Sequence, residues 1–282
     1  LKKNLKAILE RLQELGAMEI DIQLEDDNLG EKQDVASSRA LFERRAQTAD
    51  QALAILNIYV PEKKGMLDSL AGKPLVEKEL FEKAAENQDQ YMATASRIVT
   101  LDKQIAESKA AVLKVQNQVE ALAPWLSLTV PVSYTGTQKT AVLIGTMPNP
   151  QDQQSILNLL AGAVPDVEAV DVELISTDKD FTYLAVICMK QDAGKVEEVL
   201  RTGGFSKPSS PVQKIPEEYK KDLEAEIAKA QEQVKQLESE LAECAVSRQD
   251  LELISDYYRT RAEKYRILGE IPQTASTFAI SG

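Results

Sequence analysis

Glu25, Asp26 and Asp27 form a carboxylate cluster of the kind that can hold a cation. They lack the alternating spacing of a calcium loop, so plain solvation of a surface segment is the preferred reading. Cys188 sits in an apolar, strand-like run, and Cys244 sits on a helical seam. Both read as buried thiols rather than as a disulfide or a metal pair, and this usage fits a reducing compartment. The chain contains no histidine. The commonest general base and metal ligand is therefore unavailable, and the serines have no histidine to activate them. No GxxxxGK[ST] run is present, and Gly203-Gly204 follows a helical pattern, where it stops a helix rather than cradling a phosphate. Trp125 reads either as a hot spot for a partner or, preferably, as an anchor between a helix and a globular lobe. No catalytic, cofactor-binding or metal site is assigned, and no cofactor is expected.

What the residues do specify is length and rigidity. From about Glu77 to Ala123 one stripe reads Ile98, Leu101, Ile105, Ser108, Val112, Val115, Val119 and Leu122. From about Pro216 to Glu270 a second reads Leu223, Ile227, Ala230, Val234, Leu237, Leu241 and Cys244, then resumes at Leu251, Tyr258, Ala262 and Tyr265. Apolar residues alternately three and four apart fall on one helical face, which must be buried against another helix. Two such stripes joined by a globular segment predict an antiparallel hairpin, a strut with a lobe mounted on it. The first, taken as one helix, would reach about 70 Å. The polar residues Arg248 and Ser255 interrupt the second stripe. They mark either a bend or change of partner helix, or tolerated polar seam positions.

Composition agrees. Of 282 residues, 28% are charged, 43% are apolar and only 5% are aromatic, which suits a helical seam better than a thick core. The net charge of −12 disfavours nucleic acid and anionic lipid as main partners; its plainest meaning is solubility. The densest apolar run, Tyr183 to Met189, is far too short to span a bilayer. The sequence begins without Met and reads as a piece of a longer protein, so a membrane domain elsewhere stays open.

Along the chain, Asn4 to Leu15 has helical spacing, with Asn4 as a candidate N-cap and Gly16 as a stop. Residues 17–24 alternate as a strand, and 25–32 read as a loop. A helix is predicted from about Val35 to Tyr59, with Leu41, Ala52, Ile55 and Tyr59 among its apolar positions, and 61–74 breaks it. Between 130 and 212 the texture changes. Strands are predicted at 140–145, 167–175 and 181–189, helices at 151–160 and 195–200, a turn at Asp178-Lys179-Asp180, and a short strand around Phe205. That is the βαββαβ order of a ferredoxin-like sandwich. Residues 277–282 read as a further strand, cut short.

Three stretches in order resemble a known family. They are Leu1 to Gly16 with Met18-Glu19-Ile20, the helix end Leu122-Ala-Pro-Trp-Leu126, and Thr274 to Gly282. Together they resemble the soluble N-terminal half of subunit I of bacterial and archaeal V-type (A-type) ATPases, equivalent to eukaryotic subunit a. The resemblance covers nearly the whole chain. It implies an α+β fold with two small ferredoxin-like lobes at opposite ends of a long antiparallel helical bundle. The proximal lobe would be 1–34 plus 272–282, the distal lobe 130–212, and the bundle 35–129 and 213–271. In the family a strand precedes the position of Leu1, and a Trp-Val-Pro-like sequence and the membrane domain follow that of Gly282; neither is present here. The implied role is a non-catalytic stator at the cytoplasmic face of the membrane, gripped by peripheral-stalk heterodimers of subunits E and G. The family's proton-path arginine lies in the membrane half, so no catalytic residue is carried over. Two other classes share parts of the pattern. One is a chromosome-organising coiled coil with a hinge, which would need a phosphate loop elsewhere. The other is a small-molecule-sensing ferredoxin-like module on a strut.

Overall fold

The computed structural model describes residues 2–15, 33–62, 76–209, 211–274, 276–278 and 280. Its elements in order are α1 (Leu5–Leu15), α2 (Ala36–Tyr59), α3 (Lys78–Glu86), α4 (Gln88–Leu122), β1 (Thr140–Pro148), α5 (Gln153–Ala163), β2 (Val170–Thr177), β3 (Phe181–Met189), α6 (Ala193–Thr202), α7 (Pro216–Glu243) and α8 (Arg248–Glu270). They form two compact units, Leu1–Glu107 with Lys235–Gly282, and Ser108–Val234.

The regular elements described in the first unit are helices. Its centre is the pairing of α2 with α8. The buried face of α2 is made of Ala46, Ala49, Ala52, Ile55 and Leu56. Small side chains let α8 come close and lay Ile254, Tyr257 and Tyr258 into the gap. Leu41 faces solvent instead, at 49% exposure, because the alanine stripe rather than the larger residue sets the contact face. Phe81 and Ala85 of α3, with Tyr91 and Met92 of α4, close the cluster around the tyrosines. At the end of α8, Leu268 and Ile271 pack with Leu5 and Leu9 of α1.

Four expectations change in this unit. The segment 77–123 is two helices rather than one, parted at Asn87, whose side-chain amide donates to the Lys83 carbonyl at 2.9 Å. That local bond competes with the helical ladder. The return helix is also two, α7 and α8, joined by a 3-10 segment at Cys244–Ser247. Asn4, expected to open its helix, closes a 3-10 turn that runs directly into α1. Near the end of the chain, where the sequence predicts a strand over 277–282, the described residues show an isolated Gln273–Phe278 bridge, and 279, 281 and 282 lie outside them. The strand expected at 17–24, the cluster at 25–27 and most of the break at 61–74 lie outside the described residues.

The second unit holds a three-stranded antiparallel sheet in the order β1-β3-β2. Thr140 pairs with Met189 and Pro148 with Phe181; Val170 pairs with Cys188, with a bulge between Leu174 and Ser176. Helices α5 and α6 cover one face through Ile156, Leu160, Val196 and Leu200, against Leu143, Val172, Leu184 and Val186. The N-cap of α5 is Asp152, which accepts from the Ser155 amide at 2.6 Å. The turn at 178–180 is held by Asp178, which accepts from the amides of Asp180 and Phe181.

The short strand expected around Phe205 is a single bridge. Ser206 and Thr146 exchange both backbone hydrogen bonds, at 2.9 Å each. The next such pairs outward would need amide hydrogens from Pro208 on one side and Pro148 on the other, and proline has none. Gly204, at φ +91°, turns the chain into this bridge from the end of α6.

Candidate functional site

Residues expected on the two seams distribute over both units. In the first unit Ile98, Leu101, Ile105 and Leu241 are buried and Leu237 is half-buried. In the second unit Val115, Leu122, Leu223 and Val234 are buried, while Val112, Val119 and Ile227 are half-buried. Val115 and Leu122 of α4 cluster there with Leu223 of α7, flanked by Val119, Tyr219 and Ile227. In the first unit Arg97 of α4 pairs with Glu240 of α7 at 3.2 Å, and Tyr59 of α2 donates to Asp102 of α4 at 3.1 Å.

The most elaborate set of side chains joins α2 to α8. The Arg248 guanidinium, 8% exposed, donates to Asn57 Oδ1, to the Val60 carbonyl at 2.6 Å and to the Leu56 carbonyl at 3.4 Å, and its Nε lies 3.2 Å from Glu62. The Val60 carbonyl lies just past the end of α2, where the helix supplies no donor, and the Leu56 carbonyl also accepts from the Val60 amide at 2.7 Å. A cation there also meets the negative end of the helix dipole. Seven residues on, Ser255 donates to Asp50 Oδ1 at 2.6 Å, and Arg259 donates to Asp50 Oδ2 at 2.6 Å. Next, the Tyr258 hydroxyl accepts from Arg45 at 2.8 Å and donates to Gln88 at 3.2 Å. Burial raises the Tyr258 pKa. Partners descend along α2 as they ascend along α8, so the two helices run antiparallel in one register.

The seam interruptions at Arg248 and Ser255 are therefore the visible trace of this clamp. The sequence marks these positions but not their partners Asn57 and Asp50. The break also changes the partner helix. A 3-10 turn advances about 120° per residue against about 100° in an α-helix, so four residues rotate the following stripe by roughly 80°. The α8 stripe of Leu251, Ile254, Tyr258 and Ala262 thereby faces α2.

Lys264, with a side chain 5% exposed, pairs with Glu10 of α1. Its hydrogen bond holds the Glu10 carboxyl below its ordinary range. A carboxylate depressed in the folded state stabilises above its unfolded pKa of about 4.3, and that contribution disappears as pH falls through the lower folded value. We expect the acid arm of a melting-temperature profile to flatten below pH 5 in Glu10→Gln, with the curves of variant and parent converging at lower pH. Parallel curves over the whole acid range would contradict the linkage.

Little here can perform covalent chemistry. Burial raises the thiol pKa of both cysteines, which disfavours thiolate. Cys188 is buried, whereas Cys244 is only half-buried, with its thiol on the Glu240 carbonyl at 3.3 Å. The tighter helical advance at Cys244–Ser247 takes it off the seam. Trp125 is 8% exposed and meets the Tyr183 ring edge-on at 5.1 Å, so it anchors the second face of the sheet. Among the described residues no three His, Cys, Asp or Glu side chains converge as a metal site, and no helix is long and apolar enough to cross a membrane. A cleft of about 260 Å³ between α2 and α8 is lined by charged groups already paired with one another, Arg39 with Glu43, Arg259 with Asp50, and Arg266 with Glu263. A groove of about 400 Å³ in the second unit is lined by Leu122, Trp125, Val132, Pro208, Val212 and Tyr219 among others.

No family model matches the chain, and no curated protein matches it. Among solved structures there is a counterpart. The chain is similar to the cytoplasmic N-terminal domain of subunit I, a homolog of subunit a, of V-ATPase. The two are 18% identical with a TM-score of 0.49, and the match covers 95% of this chain and 85% of the other.

Proposed function

We propose that this chain is a non-catalytic stator component of a rotary V/A-type ATPase, standing at the cytoplasmic face between the membrane half and the peripheral stalks. The observation that supports it best is the α2–α8 clamp. Arg248 with Asn57 and Val60, Ser255 with Asp50, and Tyr258 with Arg45 are specific pairs at three levels of one helix pair. Sliding α8 by one turn would break all of them together, leaving buried polar groups unpaired at each level. A register held this way transmits load instead of yielding to shear, which is what a stator requires. The sequence resemblance at Leu1–Gly16, Leu122–Leu126 and Thr274–Gly282 supplies the identity of the machine.

In this reading α4 with α7, and α2 with α8, belong to one antiparallel bundle carrying two lobes. Residues 130–212 form the distal lobe, a ferredoxin-like sandwich with its fourth strand cut to the Ser206 bridge. Residues 1–34 with 272–282 form the proximal one. Each lobe takes the end of one stalk, a heterodimer of subunits E and G. Calorimetry of the chain with purified E–G heterodimer at moderate salt tests this. A dissociation constant of about micromolar or tighter is expected. An absence of heat with both proteins shown to be folded would overturn the assignment.

A further inference from the structure

The sheet of the second unit is apolar on both faces, but its second face is covered over only part of its area. Alternation puts Thr140, Val142 and Ile144 of β1, Tyr183, Ala185, Ile187 and Met189 of β3, and Asp171, Glu173 and Ile175 of β2 on that face. Trp125, Leu128, Val130, Val132 and Tyr134 cover Ile144, Ala185, Tyr183 and Ile175 and reach Val142. The cover stops there. Ile187 is half-buried but belongs to none of the apolar clusters formed by the described residues, and Met189 is 36% exposed. Register places Ile187 between Val142 and Asp171 in one row, with Met189 beside Thr140 in the next. Asp171 and Glu173 are exposed, and neither makes an ion pair among the described residues; Asp171 accepts only the Val172 amide. At the other end of the strip the Lys190 ammonium turns back to the Thr137 carbonyl at 3.5 Å, with Lys139 next to it in sequence register. A solvated antiparallel face carries polar residues at its exposed positions. This one instead keeps an isoleucine and a methionine, with two free carboxylates along one side and two lysines at its end.

We propose that this half-face of the sheet is the seat of an amphipathic helix from a peripheral-stalk subunit. That helix sets its apolar stripe on Ile187 and Met189 and turns lysine or arginine side chains toward Asp171 and Glu173. The proposal rests on the stator reading above and names the surface that reading leaves open. The charges choose the occupant. An acidic helix would meet two unneutralised carboxylates along the length of β2, whereas a basic flank pairs with both.

The test uses the whole chain and purified E–G heterodimer in calorimetry, at two salt concentrations. Both substituted carboxylates are exposed, so Asp171→Lys with Glu173→Lys leaves the core untouched; circular dichroism melting confirms that the fold is intact. The double variant should bind at least about tenfold more weakly than the parent and lose most of its salt dependence. Glu198→Lys, on the exposed side of α6, is the control and should bind as the parent does. Parent binding that survives the double reversal, or an equal loss in Glu198→Lys, overturns the surface while leaving the stator reading intact. Failure of the parent itself to bind overturns both.

Discussion

Replacement of Arg248 by methionine should lower the unfolding free energy by about 2 kcal/mol, the scale of losing charge-assisted hydrogen bonds at the partly exposed end of a helix. Methionine preserves the stem and most of the volume, so the loss isolates the guanidinium. It strips the donors from Asn57 Oδ1 and from the Val60 and Leu56 carbonyls. Glu62 contributes little to the expected loss, because at 46% exposure it returns to water. Arg248→Lys should recover less than half, since a point cation cannot reach the side-chain and carbonyl acceptors together. Denaturant midpoints give the free energies, and amide exchange gives the location. Protection should fall at the end of α2 and around 244–251 before it falls at Ala49 or Tyr258. A loss below about 1 kcal/mol, or an exchange increase spread evenly over α2 and α8, would mean that the clamp does not hold the register.

Gly145→Ala should cost about 3 kcal/mol, at the upper end of overpacking in a closed core. A Cβ built on Gly145 lies 2.4 Å from the Phe205 ring and 2.5 Å from the Ser206 carbonyl oxygen. The ring cannot yield freely, because it belongs to the core that α5 and α6 lay on the sheet. The backbone oxygen cannot yield without opening the Thr146–Ser206 bridge. The double variant with Phe205→Ala should be clearly less unstable than the sum of the two single changes, because one clash is then removed. Additive losses would show that the ring is not what the new methyl meets. The same substitution at Gly162, where a Cβ meets nothing within 4 Å, should leave the midpoint unchanged or raised.

Much of the local structure was legible because it is set by short-range physics. The apolar run in Phe181–Met189, the alternation in Val170–Thr177, the Asp178 turn and the Gly203-Gly204 stop depend on neighbours in sequence, and the elements fall where those signals lie. Asp152 could have been named as a cap from its position ahead of Ser155. Asn87 could have been suspected for its backbone-seeking amide. The Phe205 strand failed for a reason also written in the sequence: Pro208 and Pro148 flank it, but only the pairing register shows that both fall where a donor is required.

The polar clamp was legible in half. Arg248 and Ser255 stand out as breaks in an apolar stripe, while Asn57, Asp50 and Arg45 look like ordinary solvated positions of a helix with alanine on its buried face. A stripe says that a helix has a partner without saying which one, since any apolar stripe will bury any other. The sequence alone determined that this chain is a set of amphipathic helices around one small α/β unit, without histidine chemistry or a phosphate loop. Only the tertiary structure decided that the 3-10 turn at Cys244–Ser247 rotates α8 onto α2, that specific buried hydrogen bonds then hold the pair in one register, and that the cover on the sheet stops short of Ile187. Each of these depends on residues distant along the chain meeting in space, and periodicity along the chain carries no such information.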